Sequence, residues 1–409
     1  MSSSRTRLRW NLPLGCRLLC STLAACVMLT GCGGGGSGSA PSSGAAPTLS
    51  AAAQLGEQIF HDATLSASGR MSCATCHDSN FGHASPFDTA VVLGGPNADQ
   101  QGMRNAPSIR YLRYNTGFFF ADDGTPTGGF FWDGRVSSLH DQAKEPFVNP
   151  VEMANPDVAS VVAKLAAAPY AAKFVELFGA GIFTSPEAAM ERAAFALERY
   201  QMEDPDFAPF SSKYDAFVAG RATLTPQELN GLALFNRPDK GNCAACHPST
   251  KPANAPGALF TDFTYDNLGV PRNVLISANA DSAYYDLGLC GPKRPDLAVR
   301  ADLCGAFKVP SLRNVGLRKH FFHNAAFTTL EQVIRFYVRR DTDPQLWYPL
   351  DAGGNAISYN DLPAALRGNV NTTEVPYNRH LGEAPALTDS EIADVAAFLR
   401  TLTDGYHAP

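Results

Sequence analysis

Basic residues are outnumbered and scattered: 33 Lys and Arg stand against 39 Asp and Glu among 409 residues, a formal net charge of -6. Past the N-terminal segment there is no basic cluster, which excludes the electrostatic footprint of a nucleic-acid-binding surface. No methionine follows Met202, so no thioether can serve a metal in the C-terminal half. Alternating strand patterns are short and few, which excludes a mainly β fold and leaves a mainly α class. Long apolar runs are missing too: LLCSTLAACVMLTG, near the N-terminus, is too short to span a bilayer comfortably. What is plentiful is hydrophobic content, 45%, enough for two domains with real cores.

Arg5, Arg7, Arg9 and Arg17 precede that apolar run, the arrangement of an export signal. It ends in Leu29-Thr30-Gly31-Cys32, which looks like the lipobox of bacterial lipoproteins. On that reading residues 1–31 are removed and Cys32 is lipidated; an ordinary secretory signal cut nearby is the alternative. Either places the protein in the periplasm, with a membrane contact only through a lipid anchor. GGGGSGSAPSSGAAP then falls within residues 32–50, a flexible tether.

Cys16, Cys20 and Cys26 leave with the signal, and four other cysteines sit in two CxxCH motifs. SCATCH supplies Cys73, Cys76 and His77; NCAACH supplies Cys243, Cys246 and His247. Thiols at this spacing reach the two vinyl groups of one haem, and the adjacent histidine is forced beneath the iron. Two copies in an exported chain, with no thioredoxin-like βαβ pattern around them, predict two covalent c-type haems. Cys290 and Cys304 remain. In an oxidising compartment they form a disulfide closing a short loop, with metal ligation by the two thiols as the alternative.

The motifs belong to a larger repeat. LGEQIFHD precedes the first and GLALFNR the second, each a short helix delivering a Phe near the haem. Thr225, Pro226 and Glu228 announce the second of these as cap, first turn and capping box. NAPSIR, Asn105 to Arg110, answers KVPSLR, Lys308 to Arg313. FFWDGRVSSLHDQAKEP, from Phe130, answers FFHNAAFTTLEQVIRFY, from Phe321. The chain therefore reads as two tandem cytochrome c-like domains, residues 51–222 and 223–409, joined around Asp215 to Thr223. Two further helices are announced by Ser185-Pro186 and by Thr388 with Glu391.

In register, the last repeat pairs Trp132 with His323 and Pro146 with Tyr337. If the copies lie at equivalent places, the final residue approaches the open side of each iron. A phenolate can bind ferric iron and a proline cannot. With no methionine in the second domain, its sixth ligand is His320, His323, His380, His407 or a tyrosine, and Tyr337 is the reading taken. Val333, Phe336 and Tyr337 share a helix face, as plain core residues also would. The N-terminal haem is then open and the C-terminal one six-coordinate.

FWDGR, DQAKEPFVNPVEM, FKVPSLRNV and FFHN followed by TLEQVIRFY resemble the bacterial di-haem cytochrome c peroxidases and MauG, over nearly the whole mature chain. The resemblance implies that Trp132 lies between the haems and that Gln142 and Glu152 line the distal pocket of the open one. The peroxidases carry a methionine where this chain has Tyr337 and MauG a tyrosine, which places the chain nearer MauG. The peroxidases also close the N-terminal haem with a histidine from the loop before RNAP; here FDTAVVLGGPNADQQGMRNAP holds none, and His83 lies close after His77. A calcium ion between the haems maps to Asn105 and the carbonyls of Arg318 and His320. The loops around CGPKRPDLAVRADLCG and RDTDPQLWYP are similar to a MauG subgroup that includes MbnH, associated with tryptophan oxidation in a copper-binding partner.

The implied activity begins with hydrogen peroxide on an open ferric haem. Glu152 moves the proton between the peroxide oxygens and Gln142 orients them. Trp132 carries oxidising equivalents to the second haem, so that a high-valent iron state oxidises side chains of an exported partner protein. Two other functions stay open: a peroxidase drawing electrons from a small redox protein, and a di-haem electron carrier without chemistry of its own. Glu152 and the open haem count against the carrier.

Overall fold

A computed structural model describes residues 48–407; the expected signal, Cys32 and most of the tether lie outside them. The described residues hold ten α-helices and three antiparallel strand pairs of two residues each, a mainly helical fold as expected. The helices are α1 (Ala51–His61), α2 (Cys73–Cys76), α3 (Leu139–Val148), α4 (Val158–Ala167) and α5 (Ala171–Phe178). They continue as α6 (Pro186–Glu203), α7 (Lys213–Val218), α8 (Pro226–Asn236), α9 (Leu330–Arg339) and α10 (Asp389–Arg400). The strand pairs are β1 (Leu93–Gly94) with β2 (Gln100–Gln101), β3 (Phe119–Phe120) with β4 (Pro126–Thr127), and β5 (Tyr265–Asp266) with β6 (Phe307–Lys308).

Two separate hydrophobic cores organise the helices. The first gathers Leu55, Ile59 and Phe60 of α1 against Ala193, Ala196, Leu197 and Tyr200 of α6. The second gathers Leu234 and Phe235 of α8 against Val395, Phe398 and Leu399 of α10, with Ile334 and Phe336 of α9. Full burial of each Phe contributes about 2 kcal/mol. The two helix crossings repeat in detail. A Cβ on Gly56 would lie 1.9 Å from the Ala196 carbonyl oxygen, and one on Gly231 would lie 1.9 Å from that of Asp394. Only glycine lets the helices approach so closely, and each places a phenylalanine one turn on, Phe60 and Phe235.

The caps read from sequence are in place. Thr225 and Glu228 form a capping box on α8, Thr388 and Glu391 another on α10, and Ser185 caps α6 ahead of Pro186. Tyr214 of α7 is part of the second core and Phe217 packs against it, while Phe207 belongs to the first. The chain thus passes between cores within residues 208–212, ahead of the 222/223 boundary read from sequence.

The long repeat is preserved in backbone detail. Phe130 bridges to Val136 and Phe321 to Phe327, six residues on in each case. Phe131 and Gly134 have φ of 63° and 64°; Phe322 and Ala325, their counterparts, have 66° and 57°. Each turn then enters a capped helix, α3 from Ser138 and α9 from Thr329. Among the described residues no single helix is long and apolar enough to cross a membrane. The bent pair α4–α5, which has the composition for it, buries Val161, Val162, Leu165 and Phe174 in the first core.

Candidate active site

A cavity opens beside each CxxCH segment. Cys73, Cys76 and His77 line the first; Cys243, Cys246 and His247 line the second. The Nδ1 of His77 lies 3.1 Å from the His83 carbonyl, and that of His247 lies 2.8 Å from the Phe260 carbonyl. Donating Nδ1–H to the backbone fixes the tautomer that leaves the Nε2 lone pair free for a metal. Burial pushes His77 down to about 4 and lowers His247 as well, so both are held neutral. The four thiols are unpaired, and burial pushes each up to about 12. Protonated thiols, a neutral imidazole and a largely apolar cavity fit a covalent haem in both places.

His83 is held on the proximal side. Its Nδ1 lies 3.1 Å from the His77 carbonyl, its Nε2 lies 2.8 Å from Asp206, and its ring stacks on Phe207 at 4.3 Å. With both nitrogens engaged it is not free to close the opposite face. His61 sits exposed at the end of α1.

Gln142 and Pro146 of α3 face the first cavity, with Glu152 from the turn that follows. Pro146 lacks the N–H that would bond the Gln142 carbonyl in a regular helix. The backbone of Glu152 is clamped: its N–H donates to the Asn149 carbonyl at 3.0 Å, and its carbonyl accepts from Gly95 at 2.8 Å. Burial raises its carboxyl above the ordinary range, with Arg135 and Lys293 pulling it back and Glu145 adding to the rise. Arg135 in turn pairs with Glu145 at 2.7 Å and with the fully buried Asp133 at 3.0 Å.

Tyr337 of α9 faces the second cavity, at the place Pro146 holds in the first. Its hydroxyl makes no hydrogen bond to any described residue. Burial drives the phenol well above its usual range, nearby Cys246 and Asp266 add to this, and Arg340 opposes it. Of the alternative ligands, His323 also lines this cavity, stacked on Phe307 at 3.5 Å. His320 is buried outside the cavity lining, and His380 and His407 are exposed.

Trp132 lines both cavities. Its indole N–H donates to the Asn105 carbonyl at 2.8 Å, and its carbonyl accepts from Lys308 at 2.9 Å. Asp286, which the sequence reading missed, also lines both, and Arg104 joins it to Asp133 with contacts of 2.5 Å and 2.7 Å. Lys293, Pro292 and Tyr284 complete the first cavity from the C-terminal half of the chain. Cys290 and Cys304 are disulfide-bonded, closing the loop that carries Pro292 and Lys293. Tyr377 was missed as well; it lies beside Tyr337, ring centroids 5.9 Å apart, under the Arg340 guanidinium. Arg135 stood in the quoted FWDGR stretch, and Pro292 and Lys293 in the quoted CGPKRPDLAVRADLCG loop without a role read for them, but Asp286, Tyr284 and Tyr377 carry no motif.

Asn105, Arg318 and His320 are brought together, although not as calcium ligands. The Asn105 amide donates to the His320 carbonyl at 3.0 Å, and the Arg318 guanidinium reaches the same oxygen at 3.3 Å. Among the described residues no group of three His, Cys, Asp or Glu side chains could hold a metal ion. A hard dication takes six to eight oxygens, usually with carboxylates. This donor set, with a guanidinium in it, does not fit.

The family model for di-haem cytochrome c peroxidase matches residues 50–223. The methylamine utilization protein MauG of Paracoccus denitrificans is 36% identical over 375 residues, 89% of this chain and 92% of its own. The diheme peroxidase BthA from Burkholderia thailandensis superposes with a TM-score of 0.82 at 39% identity, covering 90% of each chain. A MauG-like protein associated with microbial copper homeostasis superposes at 0.60 and 26% identity, covering 88% of this chain and 91% of its own. The chain belongs to the family of di-haem cytochrome c peroxidases and MauG.

Proposed function

We propose that this di-haem, peroxide-using oxidoreductase is an exported, MauG-like enzyme that oxidises side chains of a partner protein. The observation that supports it best is the asymmetry of the two cavities: at one position of the repeat, the first has Pro146 and the second Tyr337. The first is left without a protein ligand opposite His77, open to peroxide. Tyr337 would occupy the corresponding side of the second.

The bound haems would supply the iron chemistry and hold oxidising equivalents. The residues divide the remaining work. Glu152 accepts a proton from peroxide and returns it to the departing oxygen, and its raised carboxyl brings its proton affinity closer to that task. Gln142 faces the same space with an amide that can orient peroxide or water. Trp132, shared by both cavity walls, carries electrons between them. Reducing one peroxide to two waters takes two electrons and two protons, and side chains of the partner provide both. An exported partner fits the signal-like N-terminus, and a tryptophan target fits the loop similarity to the copper-associated subgroup.

A peroxidase that draws electrons from a small redox protein is the second reading, favoured by the likeness to BthA. Low-temperature EPR of the fully oxidised holoprotein tests the first. One high-spin and one low-spin ferric signal, without prior reduction, are expected. Two low-spin signals would overturn it in favour of a peroxidase needing reductive activation.

A further inference from the structure

We propose that the guanidinium of Arg318 is the fixed cation between the two cavities, and that this place takes no calcium ion. The side chain lines the second cavity, and its charge reaches across to His77 at the first. Its Nε donates to the His320 carbonyl at 3.3 Å and its Nη2 to the Ala106 carbonyl at 3.4 Å. No carboxylate pairs with it among the described residues. Among the described residues this half-buried cation is held by peptide carbonyls.

The oxygen a metal would need is already taken. A carbonyl has two lone pairs, and that of His320 accepts from Asn105 at 3.0 Å as well as from Arg318. The Asn105 amide also donates to the Phe322 carbonyl at 3.3 Å. Calcium would thus meet a filled acceptor at His320 and, beside it, a like charge that no protein carboxylate pairs among the described residues. The same Asn105 carries Trp132 on its carbonyl, so the guanidinium is linked to the shared tryptophan through the His320 carbonyl and Asn105. A covalently fixed charge makes this region indifferent to the calcium concentration outside.

The test uses the holoprotein and has two arms. After dialysis against millimolar calcium chloride and then buffer, metal analysis is expected to find no stoichiometric calcium. Chelator or added calcium should leave the absorption and EPR spectra unchanged. One retained ion per chain, with spectra that change on chelation, overturns the proposal. In redox titrations, Arg318→Gln is expected to shift both haem potentials downward, because a lost cation disfavours the reduced states, while Arg318→Lys stays near wild type. Unchanged potentials in Arg318→Gln also overturn it. The calcium arm stands even if that variant fails to fold. Neither arm uses peroxide, so a failure here leaves the proposed reaction standing.

Discussion

The backbone N–H of Lys308 donates to the carbonyl of Trp132 at 2.9 Å. The converse bond joins Asn105 to His323 at 2.7 Å. Lys308 and Asn105 open the paired KVPSLR and NAPSIR segments, and Trp132 and His323 are partners in the longer repeat. Each copy therefore holds the other, and the shared tryptophan is fixed by both.

Replacing that tryptophan should separate the two centres. Trp132→Phe loses the indole bond to Asn105, worth about 1 kcal/mol, and keeps an aromatic ring in place. Rapid-freeze EPR after peroxide addition is expected to show the first centre reacting while the second stays ferric. Equal oxidation of both would remove Trp132 from the electron path.

Glu152→Gln should slow the reaction with peroxide by about 100- to 10,000-fold, the range for losing a general acid–base. The carboxylate must be unprotonated to accept the first proton, and burial raises its pKa. The wild-type rate is thus expected to fall on acidification at a higher pH than for a free glutamate. That limb should vanish in the variant. Stopped-flow absorbance across pH measures both.

The two neighbouring tyrosines of the second cavity offer a clean contrast. Tyr337→Phe removes a hydroxyl with no hydrogen-bond partner among the described residues and should abolish the low-spin EPR signal while the fold survives. Tyr377→Phe should leave that signal in place. A low-spin signal intact in Tyr337→Phe would reassign the ligand, with His323 and Tyr377 the groups to test next.

Most of the scaffold was legible because it is local chemistry. The CxxCH spacing, the Thr225 and Thr388 boxes and the paired turns are written within a few residues of one another. The walls of the first cavity were not, because Asp286, Pro292 and Lys293 arrive from the other half of the chain. Nothing near them in sequence signals that crossing. The second-core packing of Tyr214 was hidden for the same reason, since its partners Phe260 and Phe398 are distant in sequence. The calcium expectation turns on a side chain that the sequence did not flag: the Arg318 guanidinium shares the His320 carbonyl with Asn105.

Opening the disulfide should couple stability to reactivity. The bonded cysteines are 14 residues apart, and a loop of that length is worth about 3 kcal/mol. A Cys290→Ser, Cys304→Ser variant is expected to unfold at lower urea. It should also react more slowly with peroxide, because Lys293 lies within the loop and lines the first cavity. Reduced stability with full reactivity would show that the loop positions nothing there.

The exchange of walls between the two halves has a consequence for anyone dividing the molecule. Residues 48–212 expressed alone would present a catalytic pocket missing Lys293 and Asp286, and residues 213–407 alone would lack Trp132. Neither fragment is a smaller working version of the whole. A chimera joining one half to the other half of a relative inherits two mismatched walls from a single junction, so cassettes cut between the cores cannot be traded freely.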